Sequence, residues 1–198
     1  MTLEIILASE SPARLELLKQ IGIFPDKILP AAIDESQIKG ENPRSLALRL
    51  AYEKASKIAA LNDDAVIIGS DTVPVCRGQV LKKASNVQDV KDLIAKLSGR
   101  RHQLYTGVCI IKKTNGEVKI VKKLVKTILK FRLISKKEIV YYASLGEGEG
   151  KAGGYTLTGY AESFVSHIQG SFSNVIGLPL CETMSILNSF GIKSFERK

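Results

Sequence analysis

Along the chain, short continuous runs of apolar residues alternate with segments in which apolar residues recur at the spacing of a helix. The runs in LEIILA and AVIIG are bounded by polar residues and are typical of buried strands. Ser11 before Pro12, and Asn42 before Pro43, are N-cap and first-turn pairs that predict two helices, the second over roughly 43–61. Strands interleaved with helices predict an α/β fold with a mixed sheet.

The rest of the pattern predicts a hairpin, further helices and further strands. Asn115-Gly116 suits a type I′ turn between two long strands, and a capping box at Ser135 predicts another helix. Helices are also expected at about 86–97 and 179–190, with short strands after the glycine-rich GEGEGKAGGY. Because no linker or repeat divides the sequence, we expect a single domain over 1–198.

The net charge of +9 is concentrated in the segment 112–137, which contains ten lysines and arginines and one acid. Between Val125 and Leu133, apolar residues or Thr127 alternate with mostly basic ones, which predicts a strand with one buried face and one basic, solvated face. Such a face can protect an edge strand or attract anionic ligands. The basic face has no aromatic residues interleaved for base stacking, which argues against nucleic acid as a partner.

Three widely spaced cysteines, Cys76, Cys109 and Cys181, form neither a CxxC pair nor a disulfide framework. They predict a reducing compartment and small core side chains. No apolar run approaches the roughly 20 residues of a membrane span. The N-terminus also lacks the basic lead-in of a secretory signal. We therefore expect a cytoplasmic protein with no membrane partner.

One carboxylate interrupts the buried pattern and needs a partner. Asp71 follows AVIIGS, and a buried carboxylate must be paired, hydrogen-bonded or bound to a cation. Lys54 lies in the middle of the apolar stripe that runs from Ala47 to Leu61 on the second helix. Its ammonium either reaches the rim of that stripe or enters a cleft.

Other polar residues complete a set that suits a triphosphate and a divalent cation. In ASESPAR, Ser9 and Arg14 lie at a helix N-terminus, where unpaired N–H groups favour phosphate. Lys83 in VLKKA adds a cation, and Glu35 in IDES adds a second carboxylate. Mg²⁺ prefers one or two carboxylates with phosphate and water, and Asp71 can also accept a proton from an attacking water. No Walker A loop, GxGxxG or GxSxG is present.

These residues lie in motifs that resemble those of the Maf family of nucleoside triphosphate pyrophosphatases, which are also linked with septum formation. The resemblance covers nearly the whole chain and includes, in order, ILASESPARLELL, IDES, RLAYEKA, IIGSDTV, VLKKA, LSGRRHQLYTGV, GEGEGKAGGY and GSFSNVIGLPL. It implies a two-lobed Maf/ITPase-like α/β fold with a mixed twisted sheet, flanking helices and a central cleft. It also implies a protein that often forms a homodimer.

The resemblance further implies hydrolysis of a nucleoside triphosphate to the monophosphate and pyrophosphate with a divalent metal, Mg²⁺ or Mn²⁺. By this likeness Asp71 accepts the proton of the attacking water, and Lys54 and Lys83 assist it. Glu35 and Asp71 are the expected metal ligands. The expected substrate- and phosphate-binding residues are Ser9, Arg14, Lys54, Thr72, Lys83 and Thr158.

Some positions depart from the family's pattern. Ala13 stands where the family commonly has a second arginine, and Ala84 stands where a loop commonly reads GKP. Thr158 occupies a position at which members acting on dTTP and UTP carry glutamine, whereas Thr72 fits that group. We therefore expect non-standard or pyrimidine nucleotides as substrates, and a dTTP/UTP-preferring enzyme is the alternative.

Two other functions stay open at this stage. With Ala13 and Ala84, the chain could bind nucleotides without hydrolysing them and act through a partner in cell division. The basic segment 112–137 could instead bind nucleic acid, and such binding would weaken steeply with salt.

Overall fold

The computed structural model describes residues 3–194, which form an α/β fold with seven strands of a mixed sheet and six α-helices. The strands are β1 (Glu4–Leu7), β2 (Lys27–Ile28), β3 (Ala65–Cys76), β4 (Gln79–Val80), β5 (Arg101–Thr114), β6 (Glu117–Phe131) and β7 (Val165–Gln169). The helices are α1 (Pro12–Gln20), α2 (Pro43–Ala59), α3 (Val87–Leu97), α4 (Lys136–Ser144), α5 (Phe172–Ile176) and α6 (Leu180–Ser189). The predicted α/β class and mixed sheet are therefore confirmed.

Local capping signals located most helix starts correctly. The Asn42 side chain accepts hydrogen bonds from two backbone N–H groups at the start of α2, and Ser135 with Glu138 forms a reciprocal capping box at α4. The start of α1 differs, because Ser11 makes no side-chain cap. Instead the Ser9 hydroxyl accepts the Ser11 N–H at 3.2 Å. Ser9 is thereby held at the first turn of α1.

The chain divides into two compact units. The first unit contains the described residues up to Asp71, together with Thr106–Val125 and the described residues from Gly177 onward. Within it, β1 pairs in parallel with both β2 and β3. Its core joins the strands to one face of α2, and includes Ile6, Ala51, Ala55, Ile58, Ile67 and Cys109.

Helix α2 lies unusually close to the strands of the first unit. A Cβ placed on Gly69 of β3 would lie 2.8 Å from the Ala55 nitrogen, and one on Gly107 of β5 would lie 3.0 Å from the Leu48 Cα. Atoms at such distances overlap, so both glycines are needed for this approach. The approach brings the buried side of α2, which includes Lys54, directly onto the strands.

The apolar stripe of α2 is shorter than the sequence predicts. Lys54 is buried at 7% exposure in the middle of the stripe, as its position predicts, but Leu61 is 76% exposed. The expectation for Leu61 is wrong because α2 ends at Ala59, beyond which the helical spacing no longer applies.

The second unit contains Thr72–Tyr105 and Lys126–Ile176. Here β4 pairs antiparallel with β3, and β7 pairs antiparallel with β6. The core is rich in aromatic edge-to-face contacts, with Phe131 packed against His102, Tyr155 and Phe164.

The alternation of β6 is confirmed from Thr127 to Phe131 but wrong at Leu133, which is 81% exposed because the strand ends at Phe131. The glycine-rich stretch is followed by turns and a 3₁₀ helix (Tyr160–Phe164) before β7. The several short strands expected there are reduced to one.

The predicted hairpin turn is confirmed. Asn115 and Gly116 have φ angles of 49° and 80°, and both positive values are what a type I′ turn requires. In the basic segment that follows, the Lys122 ammonium lies 4.3 Å from the ring centre of Tyr52, which is on α2. Folding thus brings the Tyr52 ring to the basic segment, whose own aromatic residue, Phe131, is buried in the core of the second unit.

All three cysteines are free thiols. Cys76 and Cys109 are buried core residues as expected, and burial raises the pKa of Cys109 to about 12. The expectation of a core position is wrong for Cys181, which is exposed on α6. Over residues 3–194, none of the helices has the length and apolar character needed to cross a membrane.

Candidate functional site

The Asp71 carboxylate is buried, and its partner is Lys54. Asp71 is the last residue of β3 in the first unit and is 9% exposed. The Lys54 ammonium lies 2.5 Å from Asp71 Oδ1 and 2.6 Å from Glu35 Oε1. A buried ionic group is tolerated when it is paired in this way. Lys54 thus enters a polar site between two carboxylates, and its ammonium does not reach out to solvent.

Glu35 lies on a loop that Arg49 fastens to helix α2. The Arg49 guanidinium donates from Nη2 to the Ser36 carbonyl at 2.9 Å and from Nε to the Glu41 carboxylate at 2.8 Å. The hydrogen bond from Arg49 is the main cause that lowers the pKa of Glu41 below its usual value. Since Ser36 directly follows Glu35, Arg49 fixes the position from which Glu35 reaches Lys54.

Arg14 lies in the same unit and is held by two hydrogen bonds. Its Nε donates to the Gly177 carbonyl at 2.9 Å, and its Nη1 donates to the Ser9 hydroxyl at 3.0 Å. Burial lowers the pKa of Arg14, and the negative charges of Asp71 and Glu35 oppose this shift. The Arg14 guanidinium therefore interacts electrostatically with the carboxylates of both Asp71 and Glu35.

Ser70 connects the backbone segments around the site. Its fully buried hydroxyl lies 2.9 Å from the Gly107 carbonyl oxygen and 2.8 Å from that of Gly177. The Gly177 carbonyl thus accepts hydrogen bonds from both Ser70 and Arg14. This shared acceptor ties the residue before Asp71 to the helix that carries Arg14.

Lys83 belongs to the second unit, where the glycine-rich stretch holds it in place. Lys83 forms a bridge with Ala152, and the Lys82 carbonyl accepts the Gly153 N–H at 3.0 Å. The Gly150 N–H donates to the Ala84 carbonyl at 2.8 Å. The GEGEGKAGGY motif is therefore a backbone support for the exposed Lys83.

The other two predicted substrate-binding residues also lie in the second unit. Thr72 is half-buried in β3. Thr158 is exposed, and its hydroxyl lies 2.9 Å from that of Thr156. Five of the predicted residues are brought together within the first unit, namely Ser9, Arg14, Glu35, Lys54 and Asp71.

Sequence reasoning missed three residues that build the site, which are Arg49, Ser70 and Gly177. Ser70 gave a partial signal, because it interrupts an apolar run as Asp71 does. Arg49 falls on the polar side of α2, and Gly177 lies in the motif GSFSNVIGLPL but acts through its carbonyl, so the residue type does not indicate the role of either.

Comparison with known proteins places the chain in a family. The family described as Maf-like protein matches residues 4–190. Two curated relatives are named nucleoside triphosphate pyrophosphatase. The one from Rickettsia felis is 52% identical over 98% of this chain and 97% of its own length. The one from Rickettsia rickettsii (strain Sheila Smith) is 53% identical over 96% and 89%.

Among solved structures, the Staphylococcus aureus Ham1 protein is similar, with a TM-score of 0.48 and 17% identity. The similarity covers 94% of this chain and 99% of that one. The family match extends over almost the whole sequence and agrees with the curated relatives. The chain therefore belongs to the Maf family.

Proposed function

We propose that this chain is a nucleoside triphosphate pyrophosphatase that cleaves between the α and β phosphates, releasing the nucleoside monophosphate and pyrophosphate. The relatives' names support the activity. The observation that carries the proposal is the buried Asp71 carboxylate, which is paired with Lys54 and lies in the field of Arg14. A base beside two cations is suited to activating water next to an anionic phosphate chain.

In the proposed reaction, a water oxygen forms a bond to the α-phosphorus while the bond from that phosphorus to the α–β bridging oxygen breaks. Pyrophosphate leaves with the electron pair of the broken bond, and Asp71 takes the proton released by the water. Arg14 and Lys54 offset negative charge on the phosphates, and Lys83 is proposed to do the same. These residues bind, orient and accept a proton, and none forms a covalent intermediate.

Glu35 and Asp71 fit the proposed divalent cation. One oxygen of each lies within 2.6 Å of a single nitrogen, so the two carboxylates already converge on a cation. Among residues 3–194, no three His, Cys, Asp or Glu side chains form a metal-binding group. Mg²⁺ or Mn²⁺ can be bound by two carboxylates together with substrate phosphates and water. When bound, the metal would neutralise charge on the phosphates.

We propose non-standard or pyrimidine nucleoside triphosphates as the substrates, with dTTP and UTP as the narrower alternative. Thr72 supports dTTP and UTP, because it fits the pattern of the family members that act on those nucleotides. Ala13 and Thr158 differ from that pattern. The Ala13→Arg variant tests whether this position governs base preference.

The experiment is an assay of purified protein with Mg²⁺ against a panel of nucleoside triphosphates, including methylated and deaminated bases, with the inorganic product identified. The proposal expects pyrophosphate and monophosphate in equal amounts from at least one substrate. Orthophosphate as the sole inorganic product, or binding without turnover across the panel, would reject it.

A further inference from the structure

Lys54 makes two ion pairs at once, which sets it apart from Lys57, the other lysine of α2. Its ammonium contacts Glu35 at 2.6 Å and Asp71 at 2.5 Å, while the lysine itself is buried. Lys57, one turn further along, is exposed and donates to the Ala32 carbonyl. The two carboxylates therefore have an internal cation already positioned between them.

The ammonium and a divalent metal compete for the same oxygen atoms. Both are hard cations, and Mg²⁺ in proteins is bound by one or two carboxylates. A metal can contact Glu35 Oε1 and Asp71 Oδ1 only if Lys54 withdraws from them, because its nitrogen lies within 2.6 Å of both. Repulsion between two cations this close, in a partly desolvated site, adds to the cost.

Arg14 also lies near these carboxylates, but Lys54 is the cation able to move. Arg14 is fixed by hydrogen bonds to the Gly177 carbonyl and the Ser9 hydroxyl. Lys54 carries its charge on a flexible four-carbon stem whose described polar contacts are with carboxylates. The phosphate oxygens of a bound nucleotide are negatively charged, like the two carboxylates, and offer the ammonium an alternative partner.

We infer that Lys54 is a resident counter-ion that excludes the divalent metal from Glu35 and Asp71 until a nucleotide draws its ammonium away. This inference rests on the proposed function for the identity of the nucleotide. It assigns an order to binding, in which the free protein binds the metal weakly and the metal enters with the triphosphate. Two carboxylates without the lysine would attract the metal unaided.

The test measures binding of Mn²⁺ alone, without nucleotide, from the electron paramagnetic resonance signal of the free ion. Wild-type protein is compared with Lys54→Met, which keeps the length of the stem and removes the charge. We expect Lys54→Met to bind Mn²⁺ at least about tenfold more tightly, because removing one adjacent positive charge relieves more than the ~1.4 kcal/mol to which that factor corresponds. Lys57→Met is the matched control and should bind Mn²⁺ like the wild type.

Lys54→Gln gives the same test if the methionine variant does not fold, because it is neutral and keeps a hydrogen-bond donor. Unchanged or weaker Mn²⁺ binding by a folded, neutral variant would overturn the inference. Pyrophosphate release by the wild type is measured separately. If the wild type turns over nucleotides while the neutral variant shows no gain in Mn²⁺ affinity, this inference fails and the proposed function stands. If the affinity rises but no nucleotide is hydrolysed, the proposed function fails.

Discussion

Arg14 on α1 and Gly177, 163 residues later in the chain, meet through a 2.9 Å hydrogen bond from the arginine Nε to the glycine carbonyl. Gly177 has a φ of +127°, and a Cβ at this position would lie 3.2 Å from the same Nε. A side chain at position 177 would therefore strain the backbone and press on the guanidinium. We infer that Gly177 is a positioning residue for Arg14.

Gly177→Ala should raise KM for the nucleotide about tenfold, because the added methyl displaces Arg14 from its hydrogen bond to the carbonyl of residue 177. The variant should also lose about 1–3 kcal/mol of stability from backbone strain. Steady-state kinetics and urea unfolding measure the two effects. Gly191→Ala is the control, since Gly191 also has a positive φ of 79° but has nothing within 4 Å of an added Cβ. A similar KM rise in both variants would mean that strain alone is responsible.

Gly69→Ala should lower kcat more than it changes KM. The added methyl would lie 2.9 Å from the Ala55 Cβ and 2.8 Å from the Ala55 nitrogen. Helix α2 must shift away from β3, which moves Lys54 relative to Asp71 and costs about 1–3 kcal/mol of stability. Normal kcat in a variant that shows the expected loss of stability would show that the spacing of Lys54 and Asp71 does not matter.

Interactions between residues that are close in the sequence leave a recognisable pattern in it. The Asn115-Gly116 turn and the Ser135 capping box were predicted correctly because both depend on neighbouring residues. Lys54 could be identified because a charge in an apolar stripe is conspicuous. Leu61 and Leu133 were predicted wrongly because the periodic pattern was continued past the ends of α2 and β6.

The residues that hold the site in place were less accessible to sequence reasoning. The Arg49 guanidinium donates to the Ser36 carbonyl, and the Gly177 carbonyl accepts from Arg14. Every residue type has a backbone carbonyl, so the residue type does not mark a position as such an acceptor. Ser70 faces two backbone oxygens from segments distant in the chain. Such partners depend on tertiary packing, so only the folded chain reveals them.

Arg49→Gln should reduce activity severalfold although Arg49 is not placed in contact with substrate. Without the guanidinium, the loop loses its bonds to the Ser36 carbonyl and the Glu41 carboxylate, so Glu35 is held less firmly. Kinetic assays as a function of metal concentration should show a higher requirement for metal. Lys113→Gln is the control, because it breaks the ion pair of Lys113 with the exposed Asp63. Equal effects in both variants would contradict the role given to the loop.

His102 should make the protein less stable as the pH falls from about 6.5 towards 4. Burial lowers the pKa of His102 to about 4 in the folded protein, compared with about 6.5 when unfolded. Over this range the unfolded chain binds more protons than the folded chain, so protons favour unfolding. The resulting loss of stability begins below pH 6.5 and reaches about 3 kcal/mol at pH 4.

Urea unfolding of wild type and His102→Gln between pH 4 and 7.5 measures this contribution. The variant should show a shallower fall in stability with decreasing pH. His167→Gln is the control, because His167 is exposed on β7 and is the second of the two histidines in the sequence. Identical pH profiles for wild type and His102→Gln would exclude His102 as the cause.

The most direct test of the account is Asp71→Asn, with pyrophosphate release and nucleotide binding measured on the same preparation. Asparagine keeps the size of the side chain and an acceptor for Lys54 but is a far poorer proton acceptor. We expect turnover to fall by about 10²–10⁴-fold while the nucleotide binds as well as or better than to the wild type. Asp63→Asn should retain full activity. Turnover by Asp71→Asn within a few fold of the wild-type rate would contradict the role of Asp71 as the base.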